Sequence, residues 1–247
     1  MKMERRKKIV YQLDTPYSAV SWPSVTIDDQ ETILELLCNL LTPLGQYRSE
    51  YVKLSKGKRD KKRKRKVPTT CSGDILPPPS PELKSYVDVG LTTVTRHLQE
   101  LACKAQAVET NSDDKLPTQD VSRRPYSAIF VARSGQPNVL NGHLPQMAAV
   151  ASKSHPEQTP IRLVGLSKSC EDRLSESLGI PRVSCIGIRE GAPDSKALIE
   201  FTAKHVPPIN IPWMEEAKKA EYKATNINTI ETFVGTKKQH NRGLPGQ

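Results

Sequence analysis

Apolar and polar positions fall into blocks of two different periods along the chain. In DDQETILELLCNLLTPLGQYR, residues Ile33, Leu34, Leu36, Leu37, Leu40, Leu41 and Leu44 recur at helical spacing and predict a helix with a wide apolar face. Asp28 stands where an N-cap would be, with Glu31 three residues later in the capping-box position. Pro43 removes an internal hydrogen bond and Gly45 favours termination, so the helix is expected to kink or end there. That leucine face must bury against something, because the helix alone would be marginal.

From Ser85 onward, strand-like and helix-like blocks alternate. SYVDV reads as a short strand and Gly90 as a turn. LTTVTRHLQELACKAQ follows as a helix capped by Thr92 or Thr93, with Val94, Leu98, Leu101 and Ala102 on one face. Residues 106–124 are polar and unpatterned, which predicts a surface loop. YSAIFVA (126–132) has the length of a buried strand, and NVLNGHLPQMAAVASKS reads as a loop and then a helix because of Pro145. IRLVGL, then KSCEDRLSESLG ending at Gly179, then RVSCIGI, then SKALIEFTAKHV halted by Pro207 and Pro208 complete the series. The expected fold class is α/β, a three-layer α-β-α sandwich with a mixed, mostly four-stranded sheet. The expected organisation is a basic N-terminal extension (1–27), a first helix packing onto the core (28–52), a Lys/Arg- and Pro-rich linker (53–84), the α/β/α core (85–206, with the insertion 106–124) and a polar C-terminal tail (207–247).

Charge sharpens this division. The chain has 247 residues, 37 basic and 27 acidic, a formal balance of +10. Residues 1–8 contribute +4, residues 9–55 give −4, and 56–66 (KGKRDKKRKRK) carry nine bases and one acid. Residues 67–247 hold 21 bases and 19 acids, so two short runs account for the excess. The longest apolar stretch is interrupted by Glu35, Asn39 and Pro43, which leaves no membrane span of about 20 residues. No apolar segment follows the basic start, so a secretory signal is not expected. Five widely spaced cysteines without a C-x-x-C pair argue against a disulfide framework and a zinc site, and point to a reducing, intracellular setting.

The residue types needed for catalysis are scattered. His97, His143, His155, His205 and His240 show no metal-ligand spacing, and His97 reads as a surface helix residue. Dinucleotide-binding, P-loop and G-x-S-x-G patterns are absent, so no catalytic residue, metal site, cofactor or small-molecule ligand is expected. The run at 56–66 reads as a polyanion tether held by counterion release, as a nuclear import signal (KKRKRKVP), or as a solubilising linker. VGLTTVTRHLQE (89–100) places a glycine turn before a helix start with free N–H groups, two threonines and Arg96, which suits phosphate or base edges. An ordinary capped helix with an exposed arginine would read the same way.

Order and spacing over residues 86–188 carry a resemblance. Gly90, Thr92, Thr93, Thr95 and Arg96 occupy the places of a G-x-N-E-x-T-K turn, and IFVARSGQP (129–137) stands where a strand ending A-x-D-x-x-P belongs. His143-Leu144-Pro145, Ser167-Lys168 and Ile180-Pro181-Arg182 follow in order. The stretch resembles the kink-turn-binding RNA-protein superfamily of ribosomal and small nucleolar particles. Its wording is most similar to the fungal Pop-three-type protein subunits of ribonucleases P and MRP. The resemblance implies that the helix at 28–45 packs onto the domain. It also implies an RNA surface made of Gly90 at the turn, Thr92 and Thr93 at base or sugar edges, Arg96 at phosphate or guanine, Lys168 at phosphate, and the loop Ile180, Pro181 and Arg182 closing over the bend. Thr92 and Thr93 replace the asparagine and glutamate that read purines in that family.

The implied function is non-catalytic: an RNA-binding subunit, nuclear and nucleolar, supporting 5′ maturation of precursor tRNA and rRNA processing. Its partners would be the ribonuclease P/MRP RNA and the other protein subunits, with no membrane involved, and the cleavage chemistry would be carried by RNA. A ribosomal or small nucleolar core protein, and a protein–protein scaffold with a vestigial RNA face, are the alternatives.

Overall fold

The structure is a computed structural model that describes residues 7–17, 20–52, 78–107, 121, 124–133, 138–155, 157–219 and 221–233. The basic run 56–66 and nearly all of the expected loop 106–124 lie outside the described residues. In chain order the strands are β1 (Lys7–Asp14), β2 (Val87–Val89), β3 (Tyr126–Ala132), β4 (Arg162–Leu166), β5 (Cys185–Arg189) and β6 (Asn226–Phe233). The α-helices are α1 (Ile27–Tyr51), α2 (Leu91–Ala107), α3 (Asn138–Asn141), α4 (Leu144–Lys153), α5 (Ser169–Leu178), α6 (Lys196–His205) and α7 (Pro212–Lys218). The chain divides into two compact units, residues 20–210 and the two ends taken together, 1–19 with 211–247.

Helix α1 begins slightly before the expected Asp28 cap. Thr26 is the N-cap: its hydroxyl accepts from the Asp29 backbone N–H at 3.2 Å and donates to the Asp29 carboxylate at 2.6 Å. Asp28 and Asp29 sit in the first turn, where they favour the positive end of the helix dipole. Neither Pro43 nor Gly45 stops the helix, which continues to Tyr51. The acceptor that Pro43 leaves without a helical donor belongs to Asn39, near the helix surface. Ile33, Leu34, Leu37 and Leu41 are fully buried around it, each contributing about 1.5–3 kcal/mol. Gly45 has a different task from the expected one. A Cβ there would lie 2.0 Å from the backbone oxygen of Ser177, so glycine lets α1 lie directly against α5.

The larger unit is the expected three-layer sandwich. Its mixed sheet has the order β2-β5-β3-β4, with β3 parallel to β4 and antiparallel to β5, and β2 antiparallel to β5. All seven residues of β3 and all five of β5 are buried, as continuous apolar runs require. One face of the sheet packs Phe130, Val164, Ile186 and Ile188 against α1, α5 and α6. The other packs Ile129, Val131, Leu163 and Cys185 against Val94, Leu98 and Leu101 of α2 and Leu144 and Ala148 of α4. The 3-10 turn Glu82–Ser85 adds Leu83 to the first core, so the end of the proline-rich stretch is anchored. Tyr126 lies across Gly187, where any Cβ would come within 2.6 Å of its ring.

The second unit contains an element the sequence pattern did not predict. β1 and β6 pair antiparallel over eight residues, from Lys7↔Phe233 to Asp14↔Asn226. Their partners are separated by more than two hundred residues, so no local signal joins them.

Candidate nucleic-acid interface

Strand register decides which loops meet. Val89 pairs with Ile186, Val131 with Cys185, and Ala132 with Leu166. The C-terminal ends of β2, β3 and β4 and the N-terminal end of β5 therefore share one rim of the sheet. Three strand spacings make that rim about 14 Å wide. The chain leaves β2 at Gly90, whose φ of +102° is open to glycine and costly for residues with a Cβ. Its N–H donates to the Cys185 carbonyl at 2.8 Å, which locks the turn to the start of β5.

All the site residues expected from the sequence sit on or beside this rim. Thr92, Thr93 and Arg96 are exposed on the first turns of α2, with Arg96 about 8 Å along the axis from Leu91. Neither threonine is the cap. The Gly90 carbonyl accepts from Val94 N–H at 3.2 Å, which makes Gly90 the cap position and leaves the threonine side chains facing outward. The first turn of α2 holds no acidic residue, so its free N–H groups and the positive end of its dipole are unopposed. Lys168 is exposed at the start of α5, but there Glu171 and Asp172 occupy the first turn and already compensate the dipole. Pro181 and Arg182 are exposed on the loop into β5. Ile180 is half-buried against the core and its N–H donates to Ser175 O at 3.0 Å, so it seats the loop rather than presenting a contact.

Sequence reasoning missed Arg133. It follows β3 in the middle of the rim, its N–H donates to Leu166 O at 3.0 Å, and its guanidinium lies 5.0 Å from the Trp22 ring centre. Such stacking holds a guanidinium in place while leaving its hydrogen-bonding edge free. A lone arginine directly after a buried strand was the only signal, and Trp22 lies more than a hundred residues away. Ser134, which stands at the family's aspartate position, lies outside the described residues. Arg96, Arg182, Arg133 and Lys168 thus give the rim four cationic groups.

His97 is a correction. It is buried, not on the surface, and packs edge-to-face on Tyr126 with ring centres 4.6 Å apart. Cys185, at the rim's inner edge, has its thiol pushed up to about 12 by burial. It is therefore unreactive at neutral pH. Alkylation at pH 8 followed by peptide mapping should modify exposed Cys103 roughly a hundredfold or more faster than Cys185. Comparable rates would mean that β5 opens readily.

Residues 76–216, more than half of the chain, match the sequence profile of a family described as RNase P subunit Pop3. No curated protein matches the chain.

Proposed function

This chain belongs to the RNase P subunit Pop3 family, and we propose that it is a non-catalytic RNA-binding subunit of ribonuclease P and MRP particles. In that role it stabilises the particle RNA for 5′ maturation of precursor tRNA and for rRNA processing, in the nucleus and nucleolus. The observation that carries this reading is the rim itself. An uncompensated helix start with two exposed threonines lies beside four cationic side chains on one sheet edge. Phosphates would sit at the α2 N–H groups and at Arg96, Arg133, Lys168 and Arg182, and the threonine hydroxyls would meet base or sugar edges. Because threonines replace an amide and a carboxylate, shape and backbone contacts would dominate over purine reading.

The test is a gel-shift titration of the full chain against the particle RNA. Arg96→Ala with Arg182→Ala should weaken binding roughly 10- to 100-fold and lower the salt slope by about one for each phosphate no longer neutralised. Unchanged affinity in that pair would sink the assignment of the rim. A separate effect is expected from the run 56–66. Deleting it should weaken RNA binding, flatten its salt dependence and reduce nuclear accumulation, because nine of its eleven residues are basic. An unchanged salt slope together with an unchanged nuclear signal would make the run a spacer.

One observation favours a second reading. Residues 67–247 carry a balance of only +2, which suits a protein–protein scaffold better than a dedicated RNA module. RNA binding that ignores the rim substitutions would support it.

A further inference from the structure

A groove in the larger unit lies away from the rim, between α1, the 3-10 turn Glu82–Ser85 and the start of α6. It measures about 460 Å³, its floor is made of buried Leu40, Leu83 and Leu198, and Leu36, Pro43 and Pro81 wall it. The 3-10 turn leads into β2 and α6 follows β5, and Val87 of β2 pairs with Ile188 of β5. The groove is therefore at the end of the sheet opposite the rim. Pro43 is set inside a helix and Pro81 at the head of the turn, so little conformational freedom is lost when the space fills.

Two carboxylates decide what this space accepts. Glu82 and Asp194 line it, both are exposed, and neither has an ion-pair partner among the described residues. Lys196, beside Asp194, faces Glu200 at 3.9 Å, and Lys84, two residues from Glu82, is not part of the lining. The start of α6 adds about half a positive charge against these two negative ones. Nucleic acid is repelled there. Asn39 and Pro43 both line the groove, and Pro43 leaves the Asn39 carbonyl without its helical donor, which provides an acceptor for a ligand N–H. The complement is a polypeptide segment with a large apolar side chain beside a cation. This chain's own apolar pair nearest the turn, Ile75-Leu76, follows Asp74, which would set a third carboxylate against the other two.

We propose that the groove takes a segment of another protein subunit of the particle, one in which a large apolar side chain stands next to a lysine or arginine. The apolar side chain would seat on Leu40, Leu83 and Leu198, and the cation would meet Glu82 and Asp194. Membership of a ribonuclease P subunit family makes the other subunits the partners at hand. This goes beyond RNA binding by the rim and does not depend on it, because the two contacts lie at opposite ends of the sheet.

The experiment titrates the full chain, without RNA, into short labelled peptides that tile the other protein subunits of the particle, with binding read by fluorescence anisotropy. A peptide that joins a large apolar residue to a lysine or arginine should bind, and more weakly as salt rises. Ala197→Gln, which fills the groove and suits a helix, should weaken that binding roughly tenfold or more. Glu82→Gln with Asp194→Asn should weaken it roughly fivefold, asparagine being tolerant of the left-handed backbone at 194, where φ is 58°. These substitutions should leave RNA affinity unchanged, and Arg96→Ala should leave peptide binding unchanged. The proposal is overturned if no such peptide binds, or if binding ignores either Ala197→Gln or the carboxylate pair. It is equally overturned if Ile75→Ser with Leu76→Ser strengthens peptide binding, since the chain itself would then fill the groove. Loss of a dimer on Ala197→Gln, seen by sedimentation, would make a second copy the occupant and overturn it too.

Discussion

Asp88→Ala is expected to lower the unfolding free energy by about 3–5 kcal/mol, measured by urea denaturation. One carboxylate oxygen of Asp88 accepts from Arg189 Nη2 at 2.7 Å, from Arg189 Nε at 3.0 Å and from the Tyr126 hydroxyl at 2.6 Å. The pair joins the edge strand β2 to β5, with Arg189 at the end of the sheet opposite the rim. Both side chains are at most 15% exposed, so solvent does not replace a lost partner. Among the described residues, alanine would leave the buried guanidinium the Val121 carbonyl, which it meets at 3.0 Å, as its remaining hydrogen-bond acceptor, and would also strip Tyr126 of its acceptor. A double replacement, Asp88→Leu with Arg189→Met, should cost less than Asp88→Ala alone, because no unpaired charge remains. Equal costs for the two would show that the pair is not dehydrated.

The same cluster makes stability fall in alkali. Burial, then the hydrogen bond to Asp88, hold the Tyr126 hydroxyl far above its ordinary value near 10. The unfolded phenol ionises near pH 10 while the folded one keeps its proton. This contribution is therefore fully present below about pH 10 and is lost as pH rises beyond it. Tyr126→Phe should flatten that part of the stability profile, and an unchanged slope would argue against the buried hydroxyl.

Gly45→Ala should destabilise the protein by about 3 kcal/mol, and Gly45→Val by more. Helix propensity alone predicts the reverse, a gain of up to about 1 kcal/mol for alanine inside a helix. Sterics win because the added carbon would lie 2.0 Å from the Ser177 oxygen and 2.9 Å from its carbonyl carbon, both backbone atoms that cannot rotate away. Helices α1 and α5 would have to separate, exposing Leu37 and Leu41 on one side and Leu174 and Leu178 on the other. A stabilised Gly45→Ala protein, judged by its urea midpoint, would refute this close packing.

Much of the core was legible because its signals are local. β3 coincides with YSAIFVA, a run whose apolar residues need no partner to be recognised. α5 ends at Gly179 in the left-handed conformation, as its position after a periodic run predicts. Gly90 marked the turn into α2, and every expected site residue lies on or beside one rim. Misreadings arose where two local rules competed. Asp28 and Thr26 both suit a cap, and only the geometry of the entering chain selects Thr26. Gly45 looks like a terminator and is a contact. His97 looks like a surface residue, and its side chain instead packs on Tyr126, far along the chain.

By itself, then, the sequence determined the placement of charge and, from Ser85 to Val206, the period of the main blocks and the order of the strands and helices they form, since each depends on residues within about one turn or one strand of each other. The tertiary structure alone decided which residues meet: Asp88 with Arg189, Arg133 with Trp22, Gly45 with Ser177, and Lys7 with Phe233. Those meetings follow from strand register and helix packing, which are settled by burying the whole core at once and leave no trace in any single window of the chain.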